Sequence, residues 1–224
     1  MEKPKKSSGD YAHAIIKGSL SEIPLIGGTA SEIFNLILTP PLEKRREKWL
    51  EEIWNRLLKL EQNVGLINVE SLSDNDRFIS TFLSAIQVAL RNHADEKLKA
   101  LQNLVINSVI NPPVEEAIDQ LFLNLIDTYT IWHFRILEFL SNPQKWFDKN
   151  KKEPPAILAT SLKNIILEAF PELKQNEDFL ELIGDDLYSK GLITRSNLRD
   201  VYRKESLFIK HTSNLGEKFL KMIS

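Results

Sequence analysis

Cysteine is absent from the 224-residue chain, and glycine is scarce, with eight residues. The lack of cysteine excludes disulfides, thiolate nucleophiles and cysteine-based zinc or iron–sulfur sites, and it suits a reducing, cytoplasmic setting. The few glycines and the rarity of apolar–polar alternation favour helices over strands. The chain also has no large excess of charge of either sign, since its formal net charge is −2. Binding to nucleic acid or to an acidic membrane would therefore need a local basic patch.

The motifs that mark common active sites are missing as well. No two of the four histidines lie three or four residues apart, so we expect no metal site formed by neighbouring residues. The glycine-rich phosphate-binding patterns and the G-x-S-x-G motif of serine hydrolases do not occur. We therefore predict a non-enzymatic protein without metal or cofactor. An enzyme whose catalytic residues converge from distant segments is the third-ranked alternative.

Apolar residues instead recur at the spacing of one helical face. The clearest helix is predicted to begin with Thr39 as N-cap and with two prolines in its first turn, and to end at residues 63–65. Its apolar face consists of Leu42, Trp49, Ile53, Leu57 and Leu60. Similar patterns continue along the chain, and they predict several helices that share one core.

These patterns predict an all-α protein in which residues 1–10 are disordered and residues 11–148 form a helical bundle. The polar, basic and proline-terminated residues 149–155 predict a linker. Residues 156–224 are predicted to form a winged-helix-like module, because helix, turn, helix, two strand-like pieces and a last helix follow one another there. His133, inside the apolar segment IWHFRIL, is interpreted as a hydrogen-bonded core histidine.

An apolar stretch near the N-terminus is the leading candidate for a functional surface. It is predicted to form a hairpin that contacts a membrane or a protein partner. The candidate residues are Ile23, Pro24, Leu25, Ile26, Gly27, Gly28, Phe34, Leu36 and Ile37. Glu32, near the middle, would cost about 2.5–3.5 kcal/mol to insert, so a permanent membrane span is not expected. Insertion on activation and packing against the following helix are the two alternatives.

A second candidate surface lies in the predicted winged-helix-like module. Arg195, Arg199, Arg203 and Lys204 could contact nucleic-acid phosphates as a basic wing. The helix that would enter the major groove, however, reads NEDFLELIGDDLYSK, in which five acidic residues precede the first base, Lys190. Such a helix would repel phosphates, so nucleic acid is the disfavoured partner, and a protein partner or self-association is preferred.

Four segments together resemble a group of small bacterial proteins: IPLIGG, PPLEKRREKWLEEI, RNHADEKLKAL and the terminal KGLI…HTSNLGEKFL. The group is similar to the Abi-alpha family, which is associated with abortive infection. The resemblance covers most of the chain, and its motifs are structural, without catalytic residues. It implies a bacterial cytoplasmic protein linked to defence against phage. The apolar stretch near the N-terminus adds membrane association on activation as an alternative.

Overall fold

The computed structural model describes residues 46–62, 69–110, 116–156 and 158–224. Its elements are mainly helical, which confirms the predicted all-α class. The chain divides into two compact units, of which the first ends at Asp127 and the second comprises Thr128–Ser224. The predicted disorder of residues 1–10 and the candidate hairpin from Ile23 to Ile37 lie outside the described residues.

The described elements of the first unit are helices. The first of them, α1, includes residues 46–62. The elements that follow are the 3-10 helix Val69–Asp74, α2 (Asp76–Arg91), α3 (Asp95–Ile110) and α4 (Glu116–Thr128). The N-cap of α2 is Asn75, whose Oδ1 accepts a hydrogen bond from the N–H of Phe78 at 2.9 Å. This cap satisfies one of the backbone donors left free at the helix start.

The helices of the first unit pack as a bundle around the apolar faces that the sequence predicts. Trp49, Ile53 and Leu57 of α1 are buried, as their spacing indicates. The indole Nε1 of Trp49 donates a hydrogen bond to the backbone oxygen of Leu98 on α3 at 3.2 Å. Other buried members of this core are Leu101, Leu104, Phe122 and Ile126. Burial of these side chains supplies the main stabilising free energy of the unit.

The second unit contains shorter helices and a small sheet. Its elements are α5 (Ile131–Ser141), α6 (Pro143–Lys149), β1 (Ala159–Ser161), α7 (Leu162–Ala169), the 3-10 helix Pro171–Gln175, α8 (Glu177–Ser189), β2 (Val201–Arg203), α9 (Lys204–Leu207) and α10 (Asn214–Ile223).

An aromatic cluster joins α5 and α6 to the rest of the second unit. The ring of Phe139 on α5 lies 5.9 Å from Phe147 on α6 and 5.8 Å from Phe170 after α7. Trp146 contacts the same cluster, 4.8 Å from the ring of Phe170. These contacts place α5 and α6 in one core with the C-terminal helices. The observed division after Asp127 therefore differs from the predicted boundary at residues 149–155, which lie inside the second unit.

The sheet of the second unit forms where the sequence did not indicate strands. β1 and β2 are antiparallel, and the register pairs Ala159 with Arg203, Thr160 with Tyr202, and Ser161 with Val201. The two strand-like pieces of the predicted module are GLIT at 191–194 and LFIKHT at 207–212. In the described part of the chain they pair only at the isolated bridge Ile193–Thr212. Ser161 ends β1 and starts α7, because its Oγ accepts a hydrogen bond from the N–H of Asn164 at 3.3 Å.

Candidate functional site

The four predicted wing residues lie on one segment of the second unit, but two of them bind other side chains of the chain. Arg199 follows Leu198 and extends towards α8. Its Nε donates to Oε1 of Glu181 at 2.7 Å, and its Nη2 contacts Oε2 of the same carboxylate. The guanidinium carbon of Arg195 lies 4.4 Å from the ring centroid of Tyr202, which is a cation–π contact. Both cations are therefore engaged within the unit.

Arg203 and Lys204 have a different environment. Arg203 is the last residue of β2, Lys204 is the first residue of α9, and both are exposed. Neither side chain has an ion pair or hydrogen bond to another residue in the described part of the chain. The structure thus brings the four predicted residues onto one segment and leaves two of them facing solvent.

A lysine that sequence reasoning missed completes an ion network with Arg199. Nζ of Lys163 on α7 lies 2.6 Å from Oε2 of Glu177 and 2.6 Å from Oε1 of Glu181. The hydrogen bonds that Lys163 donates to these two carboxylates raise its pKa. The backbone N–H of Lys163 also donates to the oxygen of Leu198 at 2.8 Å. The network therefore ties α7, α8 and the segment before β2 together.

The carboxyl group of Glu181 is the centre of this network. Its pKa is lowered to about 2, first by the hydrogen bonds from Arg199 and then by those from Lys163. The unfolded chain, in which the pKa is near 4.5, therefore binds more protons between these two values than the folded protein does. The contribution of Glu181 to stability is present above about pH 4.5 and is lost as the pH falls towards 2.

We expect Glu181→Gln to flatten the acid side of the stability profile. The melting temperature of the wild-type protein should fall between pH 4.5 and 2 more steeply than that of the variant. Circular dichroism melts across this range measure both slopes. The matched control is Glu168→Gln, because Glu168 pairs with Lys174 at 3.1 Å in an exposed position where solvent weakens the interaction. Equal slopes for wild type and Glu181→Gln would contradict the assigned role.

The helix at the centre of the network, α8, presents an acidic surface. Asp178 and Asp185 are exposed, and Leu182 lies between them with 55% of its surface accessible. On its opposite side, α8 packs closely against Leu198, because a Cβ added at Gly184 would lie 2.6 Å from Cδ1 of that residue. The inner face of α8 is therefore packed, and its solvent face carries carboxylates and an apolar side chain.

A second polar cluster in this unit is built around His133. Nδ1 of His133 accepts a hydrogen bond from the backbone N–H of Thr130 at 3.1 Å, and its ring stacks on Tyr129 at 4.3 Å. Nε2 lies 3.4 Å from Oδ2 of Asp186. These contacts confirm that His133 is a buried, hydrogen-bonded histidine. Burial, followed by the charge of Asp186, raises the pKa of Tyr129, so its hydroxyl stays neutral.

Thr130, His133 and Asp186 are a hydroxyl, an imidazole and a carboxylate, the groups of a catalytic triad. The hydroxyl of Thr130 lies 3.0 Å from Nδ1 of His133. A ring nitrogen has one lone pair, however, and the Nδ1 lone pair already accepts the N–H of Thr130 at the start of α5. It is therefore not available to take the hydroxyl proton. We assign this cluster to capping of α5.

A cavity of about 400 Å³ opens beside α7. Its lining residues are Pro155, Thr160, Asn164, Ile165, Leu167, Glu168, Lys174 and Glu177. The polar side chains of the lining are already paired: Asn164 Nδ2 donates to Thr160 Oγ1 at 2.9 Å, Lys174 pairs with Glu168, and Glu177 pairs with Lys163 outside the lining. Within residues 46–62, 69–110, 116–156 and 158–224, no group of three or more histidine or carboxylate side chains could hold a metal ion.

No protein-family model, curated protein or solved structure matches this chain. The resemblance to the Abi-alpha group therefore stays a prediction from the segments quoted above. In the ranges that the structure describes, no helix has both the length and the apolar composition needed to cross a membrane.

Proposed function

We propose that this chain is a non-enzymatic bacterial interaction protein whose C-terminal unit is a winged-helix-like module that contacts protein. The order β1, α7, 3-10 turn, α8, β2 supports the winged-helix likeness, since a strand, two helices and a strand that pairs with the first follow one another. In this arrangement α8 takes the position of the recognition helix.

The observation that carries the proposal is that α8 presents carboxylates and not cations. A recognition helix that reads DNA presents cations to the phosphates, because phosphate contacts supply most of the affinity. Here Glu177 and Glu181 bind Lys163 and Arg199 instead. The helix therefore neutralises a cation of the wing and keeps exposed carboxylates of its own, a combination suited to protein contacts.

Nucleic-acid binding through the wing is the second candidate, and the exposed Arg203 and Lys204 favour it. We expect no binding of the full chain to random-sequence duplex DNA at about 50 mM salt, where phosphate contacts are strongest. Fluorescence anisotropy measures this. Binding that weakens steeply with salt, and that is lost in Arg203→Glu/Lys204→Glu but kept in the control Lys145→Glu/Lys221→Glu, would replace the proposal with a nucleic-acid-binding regulator.

The proposed cellular role is defence against phage, with the N-terminal hairpin acting on a membrane or a protein partner. The apolar sequence from Ile23 to Ile37 and the resemblance to the Abi-alpha group support this role. Leakage of dye from liposomes tests the membrane alternative, with the full chain compared to a chain that lacks residues 1–40. No leakage from the full chain under any trigger leaves a protein partner as the target of the hairpin.

A further inference from the structure

Two carboxylates on the solvent face of α8 take no part in the ion network. Asp178, Leu182 and Asp185, which we call the acidic face, are four and three residues apart and form one stripe along the helix. All three are exposed, and Leu182 has 55% of its surface accessible. Neither aspartate side chain forms an ion pair or a hydrogen bond within the described part of the chain. The five acidic residues of α8 outnumber the two cations that bind it, Lys163 and Arg199, so this surface stays negative.

α6 carries two lysines on one side, which we call the basic face together with Trp146. Lys145 and Lys149 are four residues apart, so they share one side of the helix, and both are exposed. The half-buried indole of Trp146 borders the same side. Asp148, the acidic residue of α6, is turned about 100° from Lys149 and accepts a hydrogen bond from Nε2 of Gln144 at 3.0 Å. The positive charge of α6 is therefore concentrated on one side.

Both lysines of the basic face are available to a second chain. Lys145 forms no ion pair and no side-chain hydrogen bond within the residues that the structure describes. Nζ of Lys149 lies 3.5 Å from Oε1 of Glu138, but these side chains are 71% and 59% exposed, so solvent weakens the pair. Binding to a carboxylate of another chain therefore replaces at most one weak contact.

A third lysine follows α6 in a backbone conformation that favours glycine. Lys151 has a φ of 53°, and its N–H donates to the oxygen of Asp148 at 3.2 Å where the helix ends. A side chain in this left-handed region costs free energy that glycine would not. Local strain of this kind points to a role for the side chain. Lys151 is exposed, and its ammonium adds positive charge two residues after the basic face.

The acidic and basic faces complement each other in charge and in spacing. The two aspartates are about 10.5 Å apart along the axis of α8, and the two lysines are about 6 Å apart along the axis of α6. The flexible four-carbon stems of the lysines cover this difference. Leu182, between the two aspartates, would then contact the lysine stems and the indole of Trp146. Since both faces belong to the second unit, every copy of the chain presents both of them.

We propose that the acidic face of one copy binds the basic face of a second copy, so that copies associate head to tail. This inference rests on the proposed function, because it names this chain itself as the protein that α8 contacts. The two faces differ, so every bound pair leaves one acidic and one basic face open for further copies, and the assembly grows to a ring or a filament. Two short helix faces bury less than a standard interface, so assembly depends on protein concentration and weakens with salt.

Two charge-reversal variants of the full chain test the contact by complementation. The acidic-face variant is Asp178→Lys/Asp185→Lys. The basic-face variant is Lys145→Glu/Lys149→Glu. Alone, each variant sets like charges against each other, so we expect its dissociation constant for self-association to rise at least about tenfold. Mixed in equal amounts, the two variants should associate, because each supplies the face that the other has lost. Sedimentation velocity at about 0.01 M ionic strength, where screening is weak, compares these samples with the wild type.

The matched controls make the same charge changes in the first unit. Glu47→Lys/Glu51→Lys and Lys59→Glu/Lys99→Glu alter exposed residues and give the same net charges as the two face variants. Each control alone should associate like the wild type, which separates the two faces from the effect of net charge. Controls that lose association as the face variants do would overturn the proposal.

Two single substitutions test the apolar contact and the strained lysine. Leu182→Asn should raise the dissociation constant about tenfold, whereas Leu83→Asn, at a residue 48% exposed in the first unit, should leave it unchanged. Lys151→Gly should raise the melting temperature, since glycine relieves the strain, and should still weaken association because a cation is lost. A raised melting temperature with unchanged association would overturn the role of Lys151.

The behaviour of the wild type decides the proposal as a whole. A chain that stays monomeric at about 1 mM and low salt would overturn it. Association that is equally strong in the wild type and both face variants would also overturn it, since the contact would then lie elsewhere. Either result leaves the proposed function standing when DNA binding is absent, with a different protein as the partner of α8. Salt-sensitive DNA binding that is lost in Arg203→Glu/Lys204→Glu would overturn the proposed function itself.

Discussion

Gly216→Ala is expected to destabilise the second unit by about 3 kcal/mol, because the added Cβ would lie 2.1 Å from the backbone oxygen of Leu192. A backbone atom cannot rotate away as the end of a side chain can. The same oxygen accepts the N–H of Ser213 at 2.9 Å, and the Oγ of Ser213 accepts the N–H of Gly216 at 3.0 Å. Relief of the clash therefore requires α10 to move and its N-cap to break.

The direction of the stability change distinguishes the steric clash with Leu192 from the effect of helix propensity. On propensity alone, alanine at Gly216 in α10 would stabilise the protein by about 0.5–1 kcal/mol. The comparison is Gly184→Ala in α8, where the added Cβ would lie 2.6 Å from Cδ1 and 2.9 Å from Cγ of Leu198, so that a buried side chain and not the backbone must shift. Urea unfolding of the three proteins measures the free energies. A Gly216→Ala protein as stable as the wild type would show that α10 tolerates the shift.

Asp119→Ala is expected to cost the first unit about 3–5 kcal/mol, because it leaves a buried guanidinium without its carboxylate. Nε of Arg77 on α2 donates to Oδ2 of Asp119 on α4 at 2.7 Å. The side chain of Asp119 is fully buried, and that of Arg77 is 8% exposed. Charges so placed interact in a low dielectric, and Asp119→Ala removes the carboxylate that offsets much of the desolvation of Arg77.

The same two helices supply the matched control. Arg91 on α2 pairs with Asp127 on α4, but its side chain is 61% exposed, so Asp127→Ala should cost no more than about 1 kcal/mol. The double variant Arg77→Met/Asp119→Leu should recover most of the lost stability, since it removes both charges and fills the space with apolar groups. Urea unfolding of the variants checks the order. A double variant as unstable as Asp119→Ala would attribute the loss to packing and not to the loss of the ion pair.

The helices could be predicted because their information is local. The apolar side chains of α1 recur every three or four residues, and this spacing alone places Trp49, Ile53 and Leu57 on one face. His133 could be interpreted for the same reason, since its neighbours in sequence are apolar. Elements of this length repeat their pattern over several turns, so a few exceptions do not hide the signal.

The sheet and the ion network could not be predicted, because each depends on segments that are distant in sequence. β1 and β2 have three residues each and lie about forty positions apart, too short to show an alternating pattern. Arg199 meets Glu181 only because the segment before β2 folds back onto α8. The sequence predicts Arg199 as a cation of a wing, but in the folded chain Arg199 binds the carboxylate of Glu181.

The division after Asp127 differs from the predicted linker at residues 149–155 for a related reason. Residues 149–155 have the polar, proline-containing composition of a linker, yet Lys152 donates from Nζ to the oxygen of Ala169 at 2.7 Å. The composition of a segment indicates how exposed it is, but it does not show which helices pack beside it. The aromatic rings of α5 and α6 pack with Phe170, and that contact assigns both helices to the C-terminal unit.

The aromatic cluster also gives the second unit an optical reporter of its own. The indole of Trp146 lies 5.5 Å from Phe139, 4.8 Å from Phe170 and 5.3 Å from the ammonium of Lys152. Unfolding would move this ring into water and shift its emission to longer wavelength. In a chain whose other three tryptophans are replaced by phenylalanine, fluorescence would follow the melting of this unit alone, and a comparison with circular dichroism would show whether the two units unfold together.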